Sequence, residues 1–329
     1  MSRRIVIAGG SGFIGRYLAE TFRANGDVVD IVGRQGQDAA WGETAAITTL
    51  LDGADLLINL AGKSVNCRYT SANRAEILRS RVETTRELAT AVQACAVPPP
   101  VWLNSSTATI YRHADDRAMT EASGNIGAGF SVSIATAWEA EFFRADLPGT
   151  RRVALRMAIV LDDGSALRPL MRLVKAGLGG PHLDGRWFAS AARRTAGTFH
   201  EVGTRHGRQR FSWIHIEDVR GAIRFLTEHP EIDGVVNLSA PEVSDNRTVM
   251  RTLRRLLRVP VGLPAPRWLL EFGTAMIRTE TELVLKSRWV IPERLLESGY
   301  RFSYSHLEPA LRAIIHGSAR SARLAPDHV

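Results

Sequence analysis

Short, almost wholly apolar runs recur along the chain at 3–8, 28–32, 55–60, 101–105, 152–160, 211–216 and 234–239, and few alternate polar with apolar residues. A strand wetted on one face alternates, whereas a parallel strand covered by helices on both faces does not, so these runs predict buried strands. Between them apolar positions recur at helical spacing. The clearest cases are 70–94, which stops before Pro98-Pro99-Pro100, and 130–146, which stops before Pro148-Gly149. Strand alternating with helix predicts an α/β fold, a doubly wound parallel sheet of the Rossmann type. Beyond Ala240 the pattern turns helical, with segments 244–258, 266–278, 292–298 and 306–316 set apart by Pro260, Pro264, Pro266 and Pro292. This tail predicts a smaller, mostly helical C-terminal lobe that carries substrate. The expected boundaries are a sheet domain at 1–165 plus 210–240, a lobe at 166–209 plus 241–318, and a flexible tail at 319–329.

The first apolar run leads into Gly9, Gly12 and Gly15, and a helical pattern follows through Phe13, Ile14, Leu18 and Phe22. Strand, glycine triplet and helix in that order hold the pyrophosphate of a dinucleotide. The first glycine permits the tight turn, the second lets backbone approach the phosphates, and the third lets the helix pack on the sheet. The N–H groups and partial positive charge of the helix start supply the attraction. Gly9, Gly10, Ser11, Gly12, Phe13, Ile14 and Gly15 are therefore the expected cofactor-binding residues. Leu60, Ala61 and Gly62 end the third run in a small-residue turn able to lie under a cofactor, and Ser105 ends the fourth. The second run finishes Ile31-Val32-Gly33-Arg34. An acid at that point binds a ribose 2′-hydroxyl and an arginine accepts a 2′-phosphate, so Arg34 predicts NADP(H), with Asp30 the rival that would favour NAD.

Bulk properties narrow the class. Apolar residues make up 45% and charged residues 23%, ordinary values for a globular protein. No apolar run has the length of a bilayer span and no signal-peptide pattern opens the sequence, so a cytoplasmic protein without a membrane partner is expected. Cys67 and Cys95 are isolated, with neither metal-ligand spacing nor a disulfide framework. The net charge of +8 invites nucleic acid, but no recognition motif accompanies it and nucleic acid is not expected. Half the excess lies in 182–210, where Arg186, Arg193, Arg194, Arg205, Arg208 and Arg210 stand against Asp184 and Glu201. A solvated basic loop is the expectation there, with a polyanion or partner surface as the alternative.

Four further segments are distinctive: Asn59-Leu60-Ala61-Gly62, Asn104 to Tyr111, Phe211-Ser212-Trp213-Ile214-His215-Ile216-Glu217-Asp218-Val219, and Arg288 to Phe302. With the glycine turn they resemble the extended or atypical short-chain dehydrogenase/reductases. More narrowly, the chain is similar to the sugar-nucleotide-epimerase-like subfamily that ends in a C-terminal domain of unknown function. The resemblance runs from about residue 3 to about residue 316, and 182–208 departs from it as an insertion. It implies NADP(H) as cofactor and a small-molecule substrate, nucleotide-linked or not; homodimerisation is left open. It also implies a substrate-orienting hydroxyl at Thr107, four residues before Tyr111.

The family's Tyr-x-x-x-Lys pair, expected near the start of 130–146, is missing. Serine stands at the tyrosine position (Ser131 or Ser133) and alanine at the lysine position (Ala135 or Ala137). Losing an acid/base group of this kind is typically worth about 10²–10⁴-fold in rate. Tyr111 and His113 are the nearest substitute acids, although Tyr111 also reads as a packed strand-end residue. His215, flanked by Ile214 and Ile216, reads as a structural histidine. Relatives that grip a diphosphate carry arginine where this chain has Phe211, beside Arg210, and Arg81 stands where the wider family often has asparagine. Two functions follow. One is an NADP(H)-dependent oxidoreductase or epimerase-like enzyme; the alternative is a non-catalytic NADP(H)-binding regulatory or interaction protein.

Overall fold

The computed structural model describes residues 2–35, 38–164, 167–185, 187–200, 203–276 and 285–324. Arg186, Glu201, the 277–278 end of the expected 266–278 helix and the last five residues of the expected flexible tail lie outside them. The chain divides into two compact units. The first comprises Met1–Ile110, Ala128–Met157 and Arg220–Val236, and the second Tyr111–Gly127, Ala158–Val219 and Asn237–Val329.

The first unit is built on a seven-stranded sheet in the order 234–238, 151–157, 101–107, 56–59, 4–8, 28–33, 39–40. Its strands run parallel from 151–157 across to 39–40. Ile5, Val6, Ile7 and Ala8 are wholly buried, which is why this strand shows no alternation. Helix Phe13–Ala24 presents Gly15, Leu18, Ala19 and Phe22 inward at helical spacing. Leu88, Val92 and Phe142, from helices Ser71–Ala94 and Phe130–Arg144, pack with Leu57, Trp102 and Ala154 of the sheet. Strand order reverses between 4–8 and 56–59, because the chain first builds outward to 39–40 and then returns to the other side. The carboxyl ends of those two strands are the switch point at which open α/β sheets bind ligands.

In the second unit, Ile159–Leu161 pairs parallel with Trp213–His215, and Arg210–Phe211 pairs antiparallel with Ser244–Asp245. Two expected strands are thus split. The run at 152–160 breaks at Ala158, whose N–H turns to Leu238 O at 2.9 Å. The run at 211–216 breaks at Ser212, whose hydroxyl donates to Arg288 O (2.7 Å) and accepts the Val290 N–H (2.8 Å). Among the described residues, tail helices form at Asn246–Leu256, Arg267–Met276, Glu293–Glu297 and Leu307–Leu324. Asp245 caps the first by accepting the Thr248 N–H at 2.8 Å. Leu161, Leu167, Trp213, Val249, Leu253 and Leu311 share the core. Residues 319–324 continue the last helix.

Candidate functional site: the glycine turn and its surroundings

At the switch point each glycine position shows why a side chain is excluded. Gly9 has φ +82°, and a Cβ there would lie 2.8 Å from Ala61 N and Leu60 C. The turn out of the first strand therefore rests directly on the 60–61 backbone. A Cβ on Gly10 would lie 2.5 Å from Ile31 Cδ1, and one on Gly15 only 2.6 Å from Gly9 O. Gly12 is different. Its N–H closes the turn onto Gly9 O at 3.0 Å, and a Cβ would meet only Gly9 O, at 3.3 Å. Ser11 and Gly12 are exposed, and no side chain caps the N-terminus of helix Phe13–Ala24. The turn thus presents uncapped backbone donors on an open side, the donor set a pyrophosphate requires.

The floor of the turn is held by a buried polar chain drawn from residues far apart along the chain. Asn59 Oδ1 accepts the Ala61 N–H at 3.0 Å. Its amide nitrogen donates to Asn104 Oδ1 (2.7 Å) and Thr85 Oγ1 (3.2 Å), and Thr85 in turn accepts from Trp138 Nε1 at 3.0 Å. Arg81 supports Gly62 from below, donating to Lys63 O and Ile77 O, both at 3.0 Å, with its guanidinium 5.0 Å from the Trp138 ring centre. Burial lowers its pKa to about 10. Arg81 is a packing cation here, spent on carbonyls. Arg34 is the first residue after Val28–Gly33 and is exposed, whereas its rival Asp30 accepts from Arg4 Nε at 3.3 Å.

Strand Val101–Thr107 puts Ser105 and Thr107 on one face and Ser106 on the other. Ser106 donates to Glu139 Oε1 at 2.6 Å, and Arg156 grips both Glu139 oxygens at 2.8 and 2.7 Å. Thr107 is half-buried and accepts the Thr109 N–H at 3.1 Å, which leaves its own O–H for another acceptor. On helix Phe130–Arg144, Ser133 donates to Phe130 O at 2.8 Å, Ser131 is half-buried and Ala135 is buried. The candidate positions on this helix hold short side chains, and the Ser133 hydroxyl bonds its own helix.

The remaining acid candidates belong to the second unit and have structural duties there. Tyr111 is 1% exposed and its phenol donates to Asn237 Oδ1 at 2.9 Å. His113 Nδ1 accepts the Ser287 N–H at 3.2 Å, which places the ring proton on Nε2, facing Thr204 Oγ1 (3.0 Å) and Asp115 Oδ2 (3.2 Å). His215 Nδ1 accepts the Glu217 N–H at 3.2 Å at the start of helix Ile216–Glu228, and burial lowers its pKa to about 4. Asp218 is fully buried and accepts from Ser303 N (2.7 Å), Tyr304 N (3.0 Å) and Tyr300 OH (3.4 Å). With Ser212 bridging Arg288 and Val290, the two most distinctive sequence segments fasten one another. Arg210 lies over the Trp289 ring at 4.3 Å and Phe211 is half-buried.

The expected solvated basic loop at 182–210 needs correction. Arg194 and Arg208 are exposed, but Asp184 has 1% side-chain exposure and His200 and Arg267 each 5%. Asp184 Oδ1 pairs with Arg267 Nη1 at 2.7 Å and Oδ2 meets His200 Nε2 at 3.1 Å. Arg193 reaches Glu271 at 3.2 Å. The segment is folded onto helix Arg267–Met276 by charges 83 residues apart, a pairing with no local signal. Among the described residues, no cluster of three metal-ligating side chains occurs and no helix is long and apolar enough to cross a membrane.

Comparison with known proteins agrees with this geometry. Residues 5–131 match the NAD dependent epimerase/dehydratase family, and residues 265–314 match a domain of unknown function, DUF1731. Epimerase family protein YfhF of Bacillus subtilis is 31% identical over 320 residues, covering 94% of this chain and 97% of its own. Human epimerase family protein SDR39U1 is 31% identical over 322 residues, covering 95% and 99%. The crystal structure of human SDR39U1 (isoform 2) with NADPH superposes with a TM-score of 0.81 at 29% identity, over 95% of this chain and 99% of that one. UDP-glucose 4-epimerase of Thermotoga maritima, solved with UDP-glucose, shares the fold at a TM-score of 0.71 and 13% identity, over 97% and 99%. The chain belongs to the NAD(P)-binding epimerase family of atypical short-chain dehydrogenase/reductases, in the SDR39U1-like branch that carries a DUF1731 domain at its C-terminal end.

Proposed function

We propose that the protein is an NADP(H)-dependent oxidoreductase or epimerase-like enzyme acting on a small or nucleotide-linked substrate. The observation that carries this reading is the turn at Gly9–Gly15, where a Cβ on Gly9, Gly10 or Gly15 would overlap neighbouring atoms while the Gly12 side stays open. The turn Gly9–Gly15 would hold the pyrophosphate through the backbone donors of Ser11 and the Phe13–Ile14 helix start, while the Gly9 and Gly12 N–H groups are spent on backbone carbonyls. Leu60, Ala61, Gly62 and Ser105 would line the cofactor site, and Arg34 would accept the 2′-phosphate. The NADPH held by the human relative supports that choice of cofactor. When bound, the nicotinamide gives or takes hydride. Thr107 donates a hydrogen bond to the substrate oxygen and orients it. Tyr111, our other sequence candidate, is assigned to packing because its phenol is committed to Asn237. With no phenol or ammonium on helix Phe130–Arg144, the proton is relayed by water.

The test is NADPH and NADH titration of the purified protein, followed by turnover on a panel of carbonyls and sugar nucleotides, including UDP-glucose. Tight NADPH binding with turnover of a panel member, lost in Thr107→Val, is the expected result. Tight binding with silence across the panel supports the non-catalytic alternative, which the Ser133 hydroxyl, bonded to Phe130 O of its own helix, favours. Absence of binding to either coenzyme overturns both.

A further inference from the structure

Helix Arg267–Met276 buries the ions Arg267 and Glu271, at 5% and 7% exposure, beside Leu270, while Trp268 and Phe272, one turn apart, are 53% and 63% exposed. A helix free to roll about its axis would bury the two rings and hydrate the ions. The roll is blocked. Arg267 is held by Asp184 at 2.7 Å and by Glu271 at 2.9 Å, and the second Glu271 oxygen takes Arg193 at 3.2 Å. Turning the helix would strand these buried charges, which costs more than wetting two rings. The ionic clasp therefore dictates that the aromatic face looks outward.

The approach to this helix has the same character. Val261 and Leu263 are 60% and 59% exposed in the loop that precedes it. Residues 246–276 contain six arginines (Arg247, Arg251, Arg254, Arg255, Arg258 and Arg267) and a single acid, Glu271, which is buried in the clasp. Arg255 is paired with Glu308, and Arg247 donates to His206 O at 2.9 Å; Arg251 and Arg258 are exposed. The stretch thus joins outward aromatic and aliphatic side chains to outward positive charge, the combination that seats a protein in the headgroup region of an anionic bilayer. Nucleic acid would use the rings and the arginines, but it offers no apolar layer for Val261 and Leu263.

We infer that the 246–276 face of the second unit docks on an anionic lipid surface, with Val261, Leu263, Trp268 and Phe272 entering the interface and Arg251 and Arg258 meeting lipid phosphates. This contact is superficial and needs no spanning helix, and it does not depend on the proposed reaction.

The test is co-sedimentation of the full chain with phosphatidylcholine vesicles, with and without phosphatidylglycerol, at low and high salt, beside an RNA oligonucleotide arm and a sizing measurement. The expected result is binding to the phosphatidylglycerol vesicles alone, released by salt. It should weaken at least about tenfold in Trp268→Ser/Phe272→Ser and in Arg251→Glu/Arg258→Glu, with melting temperatures unchanged because the altered side chains are exposed. Three results overturn it: no binding to anionic vesicles at low salt, undiminished binding by the aromatic double variant, or RNA binding with the same dependence on both variants. A dimer that becomes monomeric in Trp268→Ser/Phe272→Ser would likewise overturn it, by assigning the face to a second copy of the chain.

Discussion

Gly15→Ala is the sharpest probe of the cofactor turn, because a single methyl group is placed where three backbone atoms already stand. Its Cβ would lie 2.6 Å from Gly9 O, 2.7 Å from Gly10 Cα and 3.0 Å from Gly10 C, where ordinary contacts begin at 3.4 Å. Backbone cannot rotate aside as a side chain can, so the start of helix Phe13–Ala24 must move off the turn. Overpacking of this kind costs about 1–3 kcal/mol. The cost has two places to appear. If the apoprotein keeps the wild-type packing, it appears as lost stability. If the helix relaxes outward, its N–H groups no longer converge with those of the turn, and coenzyme binding must pull them back. NADPH affinity then falls between about fivefold and about a hundredfold. Titration by tryptophan quenching, with a thermal melt of the unliganded protein, reads both. Gly12→Ala is the control, since its Cβ meets only Gly9 O at 3.3 Å and its φ of −71° suits any residue, although it borders the open side. If Gly15→Ala melts and binds like wild type, the turn is not the tight cradle described here.

Arg34→Ala should weaken NADPH by about ten- to a hundredfold, the worth of a charge-assisted hydrogen bond, and leave NADH unchanged in competitive titration. Equal loss for both coenzymes would place Arg34 away from the 2′-phosphate. Arg156→Leu strands Glu139, whose side chain is 11% exposed, and should cost about 3–5 kcal/mol in urea denaturation. Arg156→Leu with Glu139→Leu should cost less than that single change; a fully additive double variant would deny the coupling. Burial raises the Asp218 pKa above its ordinary 3.8, so the folded state binds the proton more tightly than the unfolded chain. Its contribution is full below 3.8 and is lost as pH rises through the raised value, so the stability gap between wild type and Asp218→Asn should narrow over that window in urea midpoints. A gap that widens would reverse the sign.

The strands were legible because they are covered on both faces, so that burial alone wrote their composition. Ile5 to Ala8 shows this plainly. The breaks at Ala158 and Ser212 were not, since each depends on a partner far along the chain: Leu238 for the first, Arg288 and Val290 for the second. The glycine turn could be read because part of its reason is local, a positive φ at Gly9 and the approach of Gly15 to Gly9 O, whereas the contacts of Gly9 with 60–61 and of Gly10 with Ile31 were not in view. Its floor was hidden, because Asn59, Thr85, Asn104 and Trp138 come from four separate elements and none carries a spacing signal. The insertion was misread for the same reason. Its arginine count suggested water, but its folding depends on Asp184 and His200. The one available clue was an Arg267–Glu271 pair alternating with Trp268 and Phe272, which signals a helix whose charged side faces in.

These cases bear on how function should be sought in this chain. The most recognisable residues outside the glycine turn, His215, Asp218 and the 288–302 segment, are accounted for by bonds they make to one another, with the imidazole acting as an acceptor and the carboxylate fully enclosed. A histidine held neutral by burial and an aspartate holding up to three donors have little left to offer a substrate. Recognisability therefore marks what folds the second unit, and it is no guide to the reacting groups. Those are to be sought among side chains with an uncommitted proton or charge near the switch point. Thr107, which only accepts from Thr109, and Arg34, exposed at the end of its strand, satisfy that condition. Both are common residue types in unremarkable surroundings, and their interest comes from the strand ends on which the sheet places them.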